Sequence, residues 1–430
     1  MLIKTIFISI LIFCSNFAAA KVDIQHWQSN NGARIYLIEN NDLPIVDINV
    51  DFRAGSVKDT KQKNGLASLT NHMMVLGSGG VNEEDIANQF IDLGAQLNSS
   101  FDQDKSGFSL RTLTEKRSEA IDLLTLVLHE PNFDSNILER EKKRYIASIN
   151  QSETMPGAIA SKAFMKALYG KHPYALSDSG EIKTIKKITK KDLQSFYKNN
   201  YSSNDLSIVI VGDISRKEAE NLGNKISLGF PENKTALKIP LVNNNKAQEI
   251  RISHPAKQAH LYYGAPIIKR GDPDFLPLYL GNYILGGGGF VSRLTQEIRE
   301  DRGLAYSVYS YFMPFIEKGP FQIGVQTKKN QVDQAKKIIE KTVAEFIKDG
   351  PTSNELKRAK DFMIGGFPLK LDSNKSILEY VSMMAFYKYP LDYLDTFTKK
   401  IDKISAEEIK SAFQRRVDMN KFSTVIVGSE

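Results

Sequence analysis

The chain repeats itself. "ITKKDLQSFY" begins at Ile188 and "ISAEEIKSAF" at Ile404, a displacement of 216 residues, and "IVIVG" at Ile208 finds "TVIVG" at Thr424 with the same displacement. Upstream, "DSNILEREKKRYI" matches "TSNELKRAKDFMI" at nearly the same distance, Ser135 against Ser353. Three matches in one order indicate a tandem duplication, each half about 200 residues long. The polar stretch "PENKTALKIPLVNNNK" (231–246) is the expected linker between a first domain at 21–230 and a second at 247–430.

Each half mixes both kinds of secondary structure. "ARIYLIEN", "IVDINVDFRAGS" and "KSGFSLRTL" alternate as half-buried strands, whereas "KRSEAIDLLTLVLHE" and "SNILEREKKRYIASINQ" carry helical spacing. Ser135 is the expected N-cap of the latter. In the second half "QAHLYYGAPI", "AYSVYSYFMPF" and "GPFQIGVQTK" read as strands, and "QVDQAKKIIEKTVAEFIKDG" as a long amphipathic helix. Runs of strands followed by runs of helices predict an α+β fold. The expected architecture is two tandem homologous two-layer domains, each a largely antiparallel sheet packed with helices.

The first twenty residues, "MLIKTIFISILIFCSNFAAA", have the layout of a secretory leader: Lys4, a short apolar run, then Ala18-Ala19-Ala20 as the cleavage signal. The run is too short to anchor the chain in a bilayer. The single cysteine, Cys14, lies inside it, so the mature chain carries none and suits an oxidising compartment, with the periplasm the expected address. An excess of 57 basic over 50 acidic residues is spread along the chain. "KTIKKITKKD" and "KRAKD" read as solvated helix faces, and no nucleic-acid-binding module accompanies them.

The chemistry should lie in "GLASLTNHMM". Ser68, Asn71 and His72 sit at i, i+3 and i+4, on one helical face. The other histidines, at 26, 129, 172, 254 and 260, have no paired helical spacing. No serine sits in a G-x-S-x-G elbow, and "LGGGGF" is not followed by Gly-Lys-Ser or Gly-Lys-Thr.

"GLASLTNHMM" resembles the G-L-A-H-F-L-E-H-M segment of the pitrilysin, insulinase and mitochondrial processing peptidase family. "LPIVDINVDFRAGS", "YGKHPYALSDSGEI", "LSIVIVGDIS" and "LGGGGFVSRLTQEIREDRGLAYSVYS" extend the resemblance over essentially the whole mature chain. Members use an inverted zinc motif, H-x-x-E-H, with two histidine ligands, a glutamate base and a further glutamate ligand from a later helix. The resemblance places Ser68, Asn71, His72 and Ser148 at those four positions. One imidazole with two neutral hydroxyls is a poor zinc site, and an amide cannot deprotonate water. No metal is therefore expected in this chain, and His72 is expected to be a hydrogen-bonded interior histidine.

The same resemblance assigns a second set. "EIREDRGLAYSVYS" keeps an arginine and a tyrosine seven positions apart, Arg299 and Tyr306, with Gly303 as the helix stop between them. In the family such a pair hydrogen-bonds the scissile carbonyl and its oxyanion, chemistry that guanidinium and phenol suit. The resemblance also implies peptide contact at Gly286, Gly287, Gly288 and Gly289, and at Asn98 on a substrate-edge strand. A chain with the second set but not the first fits one half of a clam-like chamber. Zinc is then expected in a partner, a homologous subunit with intact H-x-x-E-H, and extended peptides are the expected substrates. A non-catalytic peptide-binding or scaffold protein and a degenerate self-sufficient metallopeptidase are the alternatives.

Overall fold

The computed structural model describes residues 22–232, 238–243 and 246–429; the expected leader at 1–20 lies outside them. The first sheet holds β1 (Gln25–Gln28), β2 (Arg34–Glu39), β3 (Ile45–Phe52), β4 (Gln96–Phe101), β5 (Ser106–Leu113) and β6 (Leu206–Gly212). The second holds β7 (Glu249–Ser253), β8 (Gln258–Ile268), β9 (Ala305–Phe312), β10 (Gly319–Lys328) and β11 (Ser423–Ser429). Their orders are β1-β2-β6-β3-β5-β4 and β7-β11-β8-β10-β9. With β1 removed the two sheets have one topology: β2–β6 and β7–β11 are parallel and the other pairs antiparallel. The duplication read in the sequence is thus a duplication of fold.

Burial departs from the alternating pattern. Ile35, Leu37, Ile48 and Val50 face the first half's own helices, but Tyr36, Ile38, Val209 and Val211 on the opposite face are buried as well. The cover is helix Asn374–Tyr387 from the second half, whose Val381, Met384 and Ala385 join that cluster. The second half receives the reciprocal helix: Pro156–Tyr169 sets Ala160, Phe164 and Leu168 against Val425 and Val427 of β11. Strands expected to be half-buried are buried on both faces because each half lends a helix to the other's sheet. At about 1.5–3 kcal/mol per large buried apolar side chain, this exchange ties the two halves together.

The polar complement of the exchange is Asp104. Its carboxylate accepts from Tyr174 Oη at 2.8 Å, Tyr387 Oη at 3.1 Å and the Ile316 N–H at 2.8 Å, the last two belonging to the second half. Burial pushes its carboxyl up to about 6, against the pull of these donors.

Two local expectations change. The cap of helix Ser135–Ser152 is Asp134, which accepts from the Asn136 and Ile137 N–H groups, and Ser135 is the first helical residue. The linker is anchored in its described part: Val242 is buried beside helix Pro156–Tyr169, and the Pro240 carbonyl lies 2.9 Å from His172 Nε2.

Candidate functional site

The motif helix, Leu66–Met74, starts on Gly65 in the left-handed region (φ +90°), where a Cβ would lie 2.6 Å from Ile185 Cδ1. Glycine has no side chain with which to cap, so Asp59 caps from outside. Its two oxygens accept from the Gly65 and Ala67 N–H groups at 2.7 and 2.9 Å. Burial pushes the Asp59 carboxyl up to about 7 despite those bonds.

Ser68, Asn71 and His72 leave this helix on one side, and Ser148 of helix Ser135–Ser152 meets them across a cavity of about 550 Å³. The four positions assigned by resemblance are therefore brought together. The polar groups of Ser68, Asn71 and His72 are already committed. Asn71 Nδ2 donates to Ser106 Oγ at 2.7 Å and to the Ser100 carbonyl at 3.3 Å. Ser106 Oγ is in turn 2.7 Å from Tyr201 Oη, so the amide belongs to a buried structural network rather than facing a water. Ser68 Oγ turns back to the Gly65 carbonyl at 3.4 Å.

His72 is hydrogen-bonded, though it lines the cavity wall with 37% of its side chain exposed instead of lying in the interior. Nε2 donates to Glu141 Oε2 at 3.0 Å. The other oxygen of Glu141 accepts from Arg140 Nε at 2.7 Å and an Arg144 guanidinium N–H at 3.0 Å. Burial pulls the Glu141 carboxyl up, but the bonds from His72 and Arg140 outweigh it and hold the group below the usual carboxylate range. Glu141 was not singled out in the sequence. The signal was its place two helical turns before Ser148, on the same face.

Catalytic zinc does not fit this set. The imidazole nitrogen facing Glu141 is in use, the other contributors are two hydroxyls and an amide, and the described residues contain no group of three His, Cys, Asp or Glu able to hold a metal.

Arg299 and Tyr306 form a separate constellation. Arg299 lies in the wide turn Gln296–Glu300. Gly303 (φ +60°) ends it, its N–H donating to the Arg299 carbonyl at 3.0 Å while Leu304 N–H reaches the Ile298 carbonyl. Tyr306 then follows Ala305 at the start of β9, an edge strand. The reversal brings the guanidinium carbon to 5.8 Å from the Tyr306 ring centroid and 4.7 Å from that of Phe290, a residue the sequence reading did not select. Tyr306 is 77% exposed and Phe290 66%. The cavity below the motif helix is lined wholly by residues between Ser68 and Ser179, so the two constellations do not meet in one chain.

The glycines divide. Gly286 is buried, and a Cβ there would lie 2.3 Å from Ser310 Oγ; its role is close packing against β9, which corrects the expectation of peptide contact at this position. Gly287 and Gly288 are likewise tight against Asn282 and Tyr283 but reach the surface, and Gly289 (φ +60°) borders open space. Asn98 is exposed on β4, the edge strand of the first sheet, and lines a second cavity rather than the one holding His72.

Residues 34–180 match the insulinase family (peptidase family M16), and residues 187–363 match the peptidase M16 inactive domain. The chain is 30% identical to the uncharacterized zinc protease YmxG of Bacillus subtilis, over 82% of this chain and 86% of that one. It is 29% identical to the non-peptidase homolog YmxG of Helicobacter pylori over 94% of each. Among solved structures, the peptidase M16 inactive domain from Pseudomonas fluorescens superposes with a TM-score of 0.92 at 36% identity, over 95% of this chain and 98% of that one. The periplasmic protease PqqL from Escherichia coli shares the fold (TM-score 0.82, 14% identity), with 95% of this chain covering 46% of it. With its doubled fold and degenerate H-x-x-E-H positions, the chain belongs to the insulinase family, peptidase family M16, as a half-size member lacking the zinc motif.

Proposed function

We propose that the chain is the non-zinc-binding subunit of a heterodimeric periplasmic zinc metallopeptidase that degrades or processes extended peptides. One observation carries the reading: the Arg299–Tyr306 pair is solvent-facing and stands apart from the chain's own degenerate motif cavity. A homologous subunit with intact H-x-x-E-H supplies the metal and the general base. Across the chamber, the Arg299 N–H groups and the Tyr306 O–H donate to the scissile carbonyl and strengthen those bonds as negative charge develops on its oxygen. Half-coverage of PqqL supports a whole chamber built from two chains of this size. The leader-like pattern of residues 1–20 and the PqqL likeness support a periplasmic address.

Peptide capture extends to the first half. Among the described residues β4 pairs only with β5, and its other edge offers backbone groups to an extended chain. The same edge supports the second reading, a peptide-binding protein without a protease partner. Purification of the chain alone, of an intact-motif homologue alone, and of both together separates the two. Hydrolysis by the pair but by neither chain, lost with Arg299→Ala/Tyr306→Ala, is expected. Full activity of the homologue alone removes the catalytic contribution.

A further inference from the structure

Unpaired cationic groups collect at one corner of the first sheet. Arg34, at the start of β2, is 9% exposed, and its Nε and one terminal nitrogen are buried without a hydrogen-bond partner. Ser207, its register partner on β6, buries an unpartnered Oγ beside it, and Arg53, just past β3, buries an unpartnered Nε. Asp205 stands 4.0 Å from that Nε, beyond hydrogen-bond reach. Lys58 feels the charges of Asp205 and Arg53, and Lys388 those of Arg34, Arg53 and Asp205. Four cations thus gather around one carboxylate. Burial pulls Arg34, Lys58 and Lys388 below their ordinary values, and the charge of Arg53 adds to the pull on each. On the far side of Ser207, buried Asp51 is already engaged by Lys105 at 3.2 Å.

A cavity of about 420 Å³ adjoins this corner. Arg53, Lys58 and Asp205 line it from the first half, Lys238 from the linker and Glu317 from the second half. Asp104 is on its wall too, but its oxygens already accept from Tyr174, Tyr387 and the Ile316 N–H. Lys238 balances Glu317 in charge, so the positive excess at the corner stands. The unpaired groups there are donors: guanidinium nitrogens accept nothing, and the Ser207 hydroxyl can give its proton. A neutral ligand would leave the excess in place, and a singly charged anion would offset little of it. A phosphate group brings a charge of about −2 and three acceptor oxygens, which guanidinium forks match in pairs.

We infer that the corner formed by Arg34, Arg53, Lys58 and Lys388 binds a phosphate-class oxyanion, either free phosphate or the phosphoryl end of an ester that occupies the adjoining cavity. The site bridges the halves. Lys388 caps helix Asn374–Tyr387 in the left-handed region (φ +58°), so an anion shared with Arg34 and Arg53 draws the end of the lent helix onto the first sheet. The inference rests neither on β4 receiving peptide nor on Arg299 and Tyr306 acting on a partner.

Isothermal titration calorimetry of the full mature chain with inorganic phosphate, and separately with glycerol phosphate, reads the site directly, with chloride holding the ionic strength constant. One saturable site is expected. Arg34→Met should weaken it by about tenfold or more. The same change removes a buried charge that has no partner, so in chloride it should raise the thermal midpoint while abolishing the further rise that phosphate gives the native chain. Lys58→Gln/Lys388→Gln, at two side chains that reach solvent, should weaken binding comparably and leaves β2 intact. Glycerol phosphate binding as tightly as inorganic phosphate, or more so, assigns the esterified source, and binding of inorganic phosphate alone assigns the free ion; both carry the phosphate class. No saturable heat with either probe, or an affinity unchanged in both variants, overturns the inference. A phosphate-induced rise in midpoint equal in native and variant chains, the mark of a general salt effect, overturns it as well.

Discussion

His72 Nε2 lies 3.0 Å from Glu141 Oε2, and the same carboxylate is clasped by Arg140 and Arg144. The nitrogen that could face a metal is held by a structural acceptor, and Glu141 is the centre of the cluster. Glu141→Leu should cost about 2–3 kcal/mol, below the value for a fully buried pair because both arginines reach solvent. His72→Ala should cost no more than about 1 kcal/mol, because Glu141 keeps its guanidinium partners. Urea denaturation of the two variants gives the comparison.

Rebuilding the family motif should proceed in unequal steps. Ser68→His/Ser148→Glu adds two donors beside His72 and should raise zinc retention to near stoichiometry, read by metal analysis after gel filtration. It should yield no hydrolysis while Asn71 stays, because an amide takes no proton from water. Adding Asn71→Glu removes the Nδ2 bonds to Ser106 and the Ser100 carbonyl, and should lower stability by about 1–3 kcal/mol.

Arg299→Ala/Tyr306→Ala should leave the isolated chain's thermal midpoint almost unchanged, since Tyr306 is exposed and Arg299 meets only surface rings and the solvent-exposed Glu300 carboxylate. In the two-chain assembly the same variant should lower kcat by roughly 10²–10³-fold with a smaller change in KM, the pattern of donors that act on developing charge.

Asp104 sets a pH dependence. Its folded carboxyl is raised to about 6 from an ordinary value of 3.8, so the folded state binds the proton more tightly than the unfolded state. Its contribution to stability is fully present below the ordinary value, declines as pH rises between about 4 and 6, and is constant above. Histidines 26, 129, 172 and 260 are lowered by burial and act in the opposite sense near pH 6, so the informative quantity is a difference. The stability lost on Asp104→Asn should be greater at pH 4.5 than at pH 7.5, by roughly 2 kcal/mol, because pH 4.5 lies about 1.5 units below the folded value and still above the ordinary one. Denaturant titrations at the two pH values provide the measurement.

Much of the site was legible because helical periodicity is local. Ser68, Asn71 and His72 share one face by spacing alone, and Gly303 marked the turn that returns Tyr306 towards Arg299. Glu141 escaped notice because a glutamate in "EREKKR" reads as solvent-exposed until the motif helix packs over it. Phe290 escaped because its partner is nine residues away across an irregular turn. Gly286 was misjudged because a glycine run looks the same whether it admits a ligand or a neighbouring strand, and the Ser310 side chain decides between them.

The 216-residue repeat, the apolar alternation and the loss of donors at 68, 71 and 148 are covalent facts, and they dictated the doubled α+β fold and the absence of a competent zinc motif. The exchange of helices between halves and the separation of Arg299 and Tyr306 from the motif cavity emerged only in three dimensions. The exchange sets helix Asn374–Tyr387 on β6 and helix Pro156–Tyr169 on β11, each more than 100 positions from the strand it covers, and such contacts are set by how two sheets share their cover, a relation that no local pattern encodes.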